Sequence, residues 1–542
     1  MLRHRLPGAL LALTLVGRTA AAWQEPKLGA DWYEDKVDLG FKVRSPKDWQ
    51  FVPASPLEPN MIGRYAASNG QYVNLGGEAF VLVTLYLVKF DRRSSAAEPE
   101  QLAAEGESVD PSSSAATDVE SWMTSGIDEG SRWHRVAAPV DLKGSSIKAK
   151  TSIYEGLSAR GRTEAEPKPV RAHVTEFELA PDLFVALVGL GPGEKKWRPY
   201  EKAYEAIAKT LQRIEVPLEP RRADAGLDPR ALKQKKLEAE VARSPGWSLY
   251  ETPNYFILSS YDDKQFIEEL KTRLEGIRAV YERDYPPARA RRLQLAPETP
   301  DVGVAPGGVP SSERTSITVD PLELARTSVV RVCKDRDQYL RYGGPLNTGG
   351  YFRSVEEELV IFDDKQERGR EFTWGVLSHE AFHQYIFAFY GNVAPHSWYN
   401  EGTGDYYYGF EYRNGKFKQG PARNRQDTLV SLIGEDRHAP LRDFVRWPKS
   451  WYYAVGKPGN PGNGKGGGAL SQPECYAQGW SLIWFLRTGA GKAKGWQESW
   501  GSILDKYLET LLETGELDQA VDKAFEGVDW DLFEASWLAY TR

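Results

Sequence analysis

The string FTWGVLSHEAFHQYIFAFYG, residues 372–391, limits what this chain can fold into more than any other stretch. Its apolar residues recur at Val376, Leu377, Phe382, Tyr385, Ile386 and Phe389, the three-to-four spacing of a helix with a buried face, and Gly391 is a stop signal. On that helix His379 and His383 stand one turn apart and stack on the same side. Two imidazoles at this spacing can hold one metal ion, and Glu380 flanks them where it reaches a water at the metal. The competing account is a pair of core histidines satisfied by hydrogen bonds, and a third ligand decides between the two.

A catalytic zinc takes three protein ligands and keeps a fourth position open. The segment WYNEGTGDYYYG, residues 398–409, places Glu401 eighteen positions after His383. A second helix packed on the first would turn Glu401 toward the metal and complete a set of His379, His383 and Glu401. Asp405 lies one turn beyond Glu401 on the same face, where it can accept from the far nitrogen of a zinc-bound His and fix its tautomer. The alternative for Glu401 is a solvated carboxylate at a helix start, favoured there by the dipole, but its aromatic surroundings oppose that. His396, in a loop beside Pro395, and His438 remain as other third ligands. His134 and His173 have no partners nearby in sequence and read as structural.

Composition narrows the field. Two Cys exclude a disulfide-rich scaffold and any four-Cys metal site. Phe389 stands where the long motif HExxHxxGxxH has its third His, and the last Met is Met123, so a metzincin with its later Met turn is excluded. A net charge of −7 disfavours a nucleic-acid partner. Cys333 and Cys475 are equally readable as a disulfide or as two separate buried thiols.

At 542 residues the chain should hold more than one domain. Residues 1–22 read as a signal peptide: Arg3 and Arg5, an apolar run from Leu6 to Val16, and a small-residue cleavage site ending at Ala22. Residues 23–217 read as a non-catalytic α+β domain with a mixed sheet. FVLVTLYLVKF (80–90) and LFVALVGLG (183–191) have strand length, and residues 197–214 have helical spacing, with Tyr204, Ile207 and Leu211 on one face. Residues 93–118 read as a Ser- and Ala-rich insertion, 218–245 as a linker with a short helix, and 457–473 as a Gly/Pro loop. From 246 to 542, strands such as YFILS and ELVIF give way to a mostly helical end. The strand ELVIFDD (358–364) is expected to be a sheet edge on which an extended peptide pairs, its carboxylates beside the cleft.

Two resemblances follow from these residues. The opening GF-V-P-W pattern and the YEAIAKTL helix make the N-terminal part resemble the PsbP/Mog1-like fold, whose members bind partners or surfaces. HEAFH followed by NEGTGD resembles the gluzincins of thermolysin and aminopeptidase-N type, in which the Glu of Asn-Glu is the third zinc ligand. Over residues 246–542 the chain is similar to exported bacterial HExxH proteins grouped with the peptidase-MA-like clan. GTGDYYYG also satisfies the aspzincin pattern, in which Asp405 rather than Glu401 would bind the metal. In the aminopeptidases a Tyr donates to the oxyanion, and CYAQG places Tyr476 there, with Gln478 where that family has Lys. Tyr406, Tyr407, Tyr408, Tyr452 and Tyr453 are the other phenols available.

The resulting expectation is an α+β, zincin-type, exported zinc peptidase acting on proteins or peptides, secreted or periplasmic, with no membrane segment once the leader is removed. Zn2+ would sit on His379, His383 and Glu401, with Glu380 as general base and Tyr476 on the oxyanion. The alternative is a non-peptidase zinc protein or a binding module that attaches at the cell surface through its N-terminal domain.

Overall fold

The computed structural model describes residues 25–36, 39–54, 58, 60–67, 72–75, 78–81, 84–91, 116–126, 133–157, 169–215, 229–289, 328–345, 347–354, 356–390, 394–454 and 469–541. The expected leader at 1–22, most of the expected insertion at 93–118 and most of the expected loop at 457–473 lie outside the described residues. Contacts divide the chain into two units, Met1–Val216 and Pro217–Arg542.

The first unit is built from strands β1 (Leu28–Asp35), β2 (Phe41–Pro46), β3 (Trp49–Pro53), β4 (Met61–Ala67), β5 (Tyr72–Leu75), β6 (Glu78–Val81), β7 (Thr84–Asp91), β8 (His134–Arg135), β9 (Val140–Asp141), β10 (Ala149–Leu157), β11 (Pro169–Ala180), β12 (Leu183–Pro192) and β13 (Gln212–Arg213). The main sheet runs β3-β4-β7-β12-β11-β10-β8, with β9 also on β10, beside a smaller sheet β1-β2-β13 and the β5-β6 pair. Every pairing described is antiparallel, which corrects the expected mixed sheet. Within the main sheet β11 and β12 are joined by the tight turn Pro181-Asp182, whereas β7 pairs with the distant β12.

Helices α1 (Val119–Gly126) and α2 (Arg198–Ala208) supply residues to two separate cores. Along β12, Val185 and Leu187 join the core that receives Tyr204 and Ile207 of α2. Ala186, Val188 and Leu190 join the one that receives Trp122 and Met123 of α1. This period-two division explains why the strand reads as one continuous apolar run. Residues 80–90 do not form one strand but divide between β6 and β7, and the helix expected over 197–214 ends at Ala208 because Gln212 and Arg213 pair with β2.

The second unit begins with α3 (Pro229–Arg243), inside the stretch expected as a linker. Leu237 is buried and Glu240 pairs with the buried Arg331 at 2.8 Å, so this helix is part of the second unit's packing. The sheet has the order β14 (Ser248–Glu251), β15 (Tyr255–Ser259), β16 (Ser328–Cys333), β18 (Glu358–Phe362), β17 (Gly350–Arg353). The central three strands are parallel and both edge strands antiparallel. Every residue of β15, β16 and β18 is buried, as parallel strands covered on both faces require. The expected edge at 358–364 is therefore an interior strand, and β17 is the edge. Asp363 and Asp364 are tied to Arg370 and Arg368.

Helices α4 (Lys264–Asp284), α5 (Arg336–Arg341) and α6 (Arg370–Tyr390) accompany the sheet. After it come α7 (Ser397–Tyr408), the hairpin β19 (Glu411–Arg413) and β20 (Lys416–Lys418), α8 (Arg423–Gly434), α9 (Leu441–Phe444), α10 (Lys449–Ala454), α11 (Gln472–Thr488), α12 (Ile503–Thr514), α13 (Leu517–Ala524) and α14 (Trp530–Thr541). The chain is thus α+β, with helices dominating its C-terminal end. Among the described residues no helix is long and apolar enough to cross a membrane.

Candidate metal centre

Helix α6 is seated by its large side chains. Trp374 stacks on Phe266 at 4.9 Å, and Phe382 packs against Tyr281 and Tyr407. Tyr281 donates to the carbonyl of Ser378 and Tyr385 to that of Tyr285. Those contacts fix the helix's rotation and leave His379, Glu380 and His383 on the side that meets the site. Helix α7 is buried nearly throughout although its sequence is only weakly apolar. It packs against both α6 and α11, and two glycines permit this. A methyl on Gly402 would come within 2.6 Å of the Gly479 carbonyl of α11. One on Gly404 would meet the His379 ring at 2.7–2.9 Å.

Three donor atoms converge between α6 and α7. The Nε2 atoms of His379 and His383 are 2.9 Å apart, and Oε2 of Glu401 lies 3.3 Å from the first and 3.6 Å from the second. A circle through the three atoms has a radius of about 1.9 Å, so a point about 2.0–2.2 Å from each lies just off their plane, as zinc's N and O ligands require. Two imidazoles and a carboxylate are also the donor chemistry zinc prefers. The residues present fit that ion, and among the described residues this is the one cluster of three or more such ligands.

Electrostatics favour a cation here. Burial alone would lower the His379 pKa, but its hydrogen bonds with Asp405 and Glu401 outweigh that and push it up to about 10. Burial would raise that of Glu401, but the His383 charge and hydrogen bonds with both imidazoles hold it well below the usual carboxylate range. Asp405 lies on the far side of His379, 3.1 Å from Nδ1, and not in the donor set, contrary to the aspzincin alternative. There it leaves Nε2 directed at the cluster. Arg425 of α8 donates to both Asp405 oxygens, at 2.7 and 3.3 Å, and its guanidinium lies over the Tyr476 ring at 4.9 Å.

Glu380 is half-buried beside the cluster, and its Oε2 accepts from the Phe352 amide of the edge strand β17 at 2.9 Å. Tyr453, at the end of α10, donates to Oε1 of Glu401 at 2.6 Å, and Tyr476 donates to the Tyr453 oxygen at 3.4 Å. Desolvation and the Glu401 charge raise both phenols far above their usual pKa, so each keeps its proton. Tyr476 is therefore one hydrogen bond further from the ligands than Tyr453.

The other histidines are placed elsewhere. His396 is bound to Tyr507 through both its amide and Nδ1. His438 packs on Trp537, with Glu534 and Asp436 as its nearest carboxylates. Gln478 is buried and exchanges two hydrogen bonds with the Ala439 backbone. Cys333 and Cys475 are separate buried thiols. Arg425, the Phe352 amide and the close approach at Gly404 escaped the sequence reading, since each depends on an element remote along the chain.

No protein-family model matches the chain, and no curated protein matches it. Among solved structures, the Ran-binding protein Mog1p of Saccharomyces cerevisiae is similar at 10% identity over 35% of this chain and 97% of that one, with a TM-score of 0.21. The cyanobacterial PsbP (CyanoP) of Synechocystis is similar at 15% identity over 36% of this chain and 95% of that one, with a TM-score of 0.22. Both are weak structural resemblances and fall on the N-terminal part of the chain.

Proposed function

We propose that this chain is an exported zinc-dependent peptidase of the gluzincin type, its metal held by His379, His383 and Glu401. The observation that carries the reading is the meeting of two imidazole nitrogens and one carboxylate oxygen, 2.9–3.6 Å apart, beside the half-exposed Glu380. When bound, zinc supplies Lewis acidity, polarising a carbonyl and acidifying a water.

The chain's own residues would do the rest. Glu380 takes a proton from the attacking water and returns it to the leaving amine. The Phe352 amide holds one of its oxygens and leaves the other for that proton. Asp405, braced by Arg425, holds the His379 ring in one tautomer. Tyr476 is a protonated phenol beside the cluster, and its one proton, held by Tyr453 in a long 3.4 Å hydrogen bond, would turn to donate to an oxyanion. An extended polypeptide pairing with the edge strand β17 would be the substrate, and the position of β17 at the sheet edge supports a protein or peptide as the substrate class. The leader-like residues 1–22 supply the export part of the reading.

The test is metal analysis combined with hydrolysis of an unstructured protein substrate. The wild-type chain should carry one zinc, lose activity to a chelator and regain it with zinc. Glu380→Gln should keep the zinc and lose about 100-fold or more in kcat/KM. Retained hydrolysis in that variant overturns the mechanism.

A further inference from the structure

We propose that Tyr453 is a positioning residue for Glu401, pinning Oε1 so that a single oxygen, Oε2, faces the two imidazoles. The inference rests on the metal-centre reading above and deepens it. The two Glu401 oxygens have separate partners. Oε1 accepts the Tyr453 hydroxyl at 2.6 Å and the Asn400 amide at 3.3 Å, while Oε2 lies 3.3 and 3.6 Å from the imidazole nitrogens. A carboxylate can offer a metal either one oxygen or both. A short hydrogen bond from a neutral phenol to an ionised carboxylate is of the strong, charge-assisted kind and holds the first arrangement.

The direction of the bond is set by its neighbours. Tyr453 has one proton, which goes to Glu401, and its oxygen accepts from Tyr476 at 3.4 Å. Nor does the phenol depend on Glu401 for its place. The preceding Tyr452 is buried and donates to the Cys475 carbonyl at 3.0 Å, anchoring α10 on α11. Two helices thus meet at one carboxylate, α7 carrying it and α10 orienting it. A metal held this way would have three protein donor atoms and keep a fourth position for water or substrate, the arrangement that separates a catalytic zinc from a structural one.

The experiment uses the full chain with Tyr453→Phe, Tyr476→Phe and Glu401→Gln, each with an unchanged far-ultraviolet spectrum. Zinc affinity is read by competition with a chromophoric chelator, and geometry by the visible absorption of the cobalt(II)-substituted protein. Tyr453→Phe should bind zinc about 10–100-fold more weakly. Its cobalt band should lose intensity as the released carboxylate turns both oxygens to the metal. Tyr476→Phe leaves the bond to Oε1 in place and should match the wild type in affinity. Wild-type affinity and spectrum in Tyr453→Phe, with zinc lost in Glu401→Gln, overturns this inference alone. A wild-type chain that binds no zinc overturns the metal-centre reading and this inference with it.

Discussion

Gly404 decides how closely α7 can lie against the imidazole of His379. A methyl there would sit 2.7–2.9 Å from three ring atoms, so the ring or the helix must move. Gly404→Ala should weaken zinc binding by about tenfold or more, the loss typical when a ligand's orientation is disturbed, while helix content stays intact. Chelator competition and circular dichroism together check this.

In the first unit, His173 is buried beside Tyr204 with no carboxylate among the described residues bonded to it, and burial lowers its pKa from the usual 6.5 to about 4 against the weaker pull of the Glu205 charge. Between those values the unfolded chain binds a proton that the folded one refuses. The stability of the neutral folded form is therefore full above pH 6.5 and lost as pH falls toward 4, by about 3 kcal/mol. Urea melts of wild type and His173→Gln across that window should show the slope flattened in the variant. Equal slopes would reject this role for His173.

The pair α6 and α7 is the element on which the site depends, and Arg425 holds it from α8. Asp405 is 1% exposed and accepts from Arg425 through a fork of two hydrogen bonds. Arg425→Ala leaves that buried carboxylate without its guanidinium and should cost the second unit about 3 kcal/mol. Arg425→Lys should rescue it only in part, because an ammonium cannot reproduce the fork. Denaturant melts of the two variants decide this. Full rescue by Lys would show that charge alone matters. Gly350, in the edge strand β17, leaves room for the side chains of Ile361 and Val376, so β17 can pair with β18 beside α6.

Each unit of the whole molecule buries a core of its own: one cluster spans the second unit's sheet and helices, and two flank the first unit's main sheet. Calorimetry should therefore resolve two transitions. Zinc at about 100 times its dissociation constant should add about 2.7 kcal/mol to the unit that holds the cluster and leave the other unmoved. A chelator should reverse the shift, and His173→Gln should move only the other transition. A single transition that responds to both would show that the units unfold together.

The spacing in the chain by itself determined the part of the site that lies within single helices. A helix repeats every 3.6 residues wherever it packs, so His379 with His383, and Glu401 with Asp405, were legible as same-face pairs before any fold was known. The long apolar runs at 183–191 and 358–362 were legible as strands for a similar local reason. Their place in a sheet was not, because a strand buried on both faces is apolar throughout whichever neighbours it has. Only the tertiary structure decided that β18 is interior, that the first unit's pairings are antiparallel, and that the helix expected at 197–214 stops short for a strand. It also decided the partners that orient the ligands. Tyr453 is 52 residues from Glu401, Arg425 is 20 from Asp405 and Phe352 is 28 from Glu380. No local period links such pairs. They meet because helices and strands bury their apolar faces together, and the polar contacts take the geometry that packing leaves them.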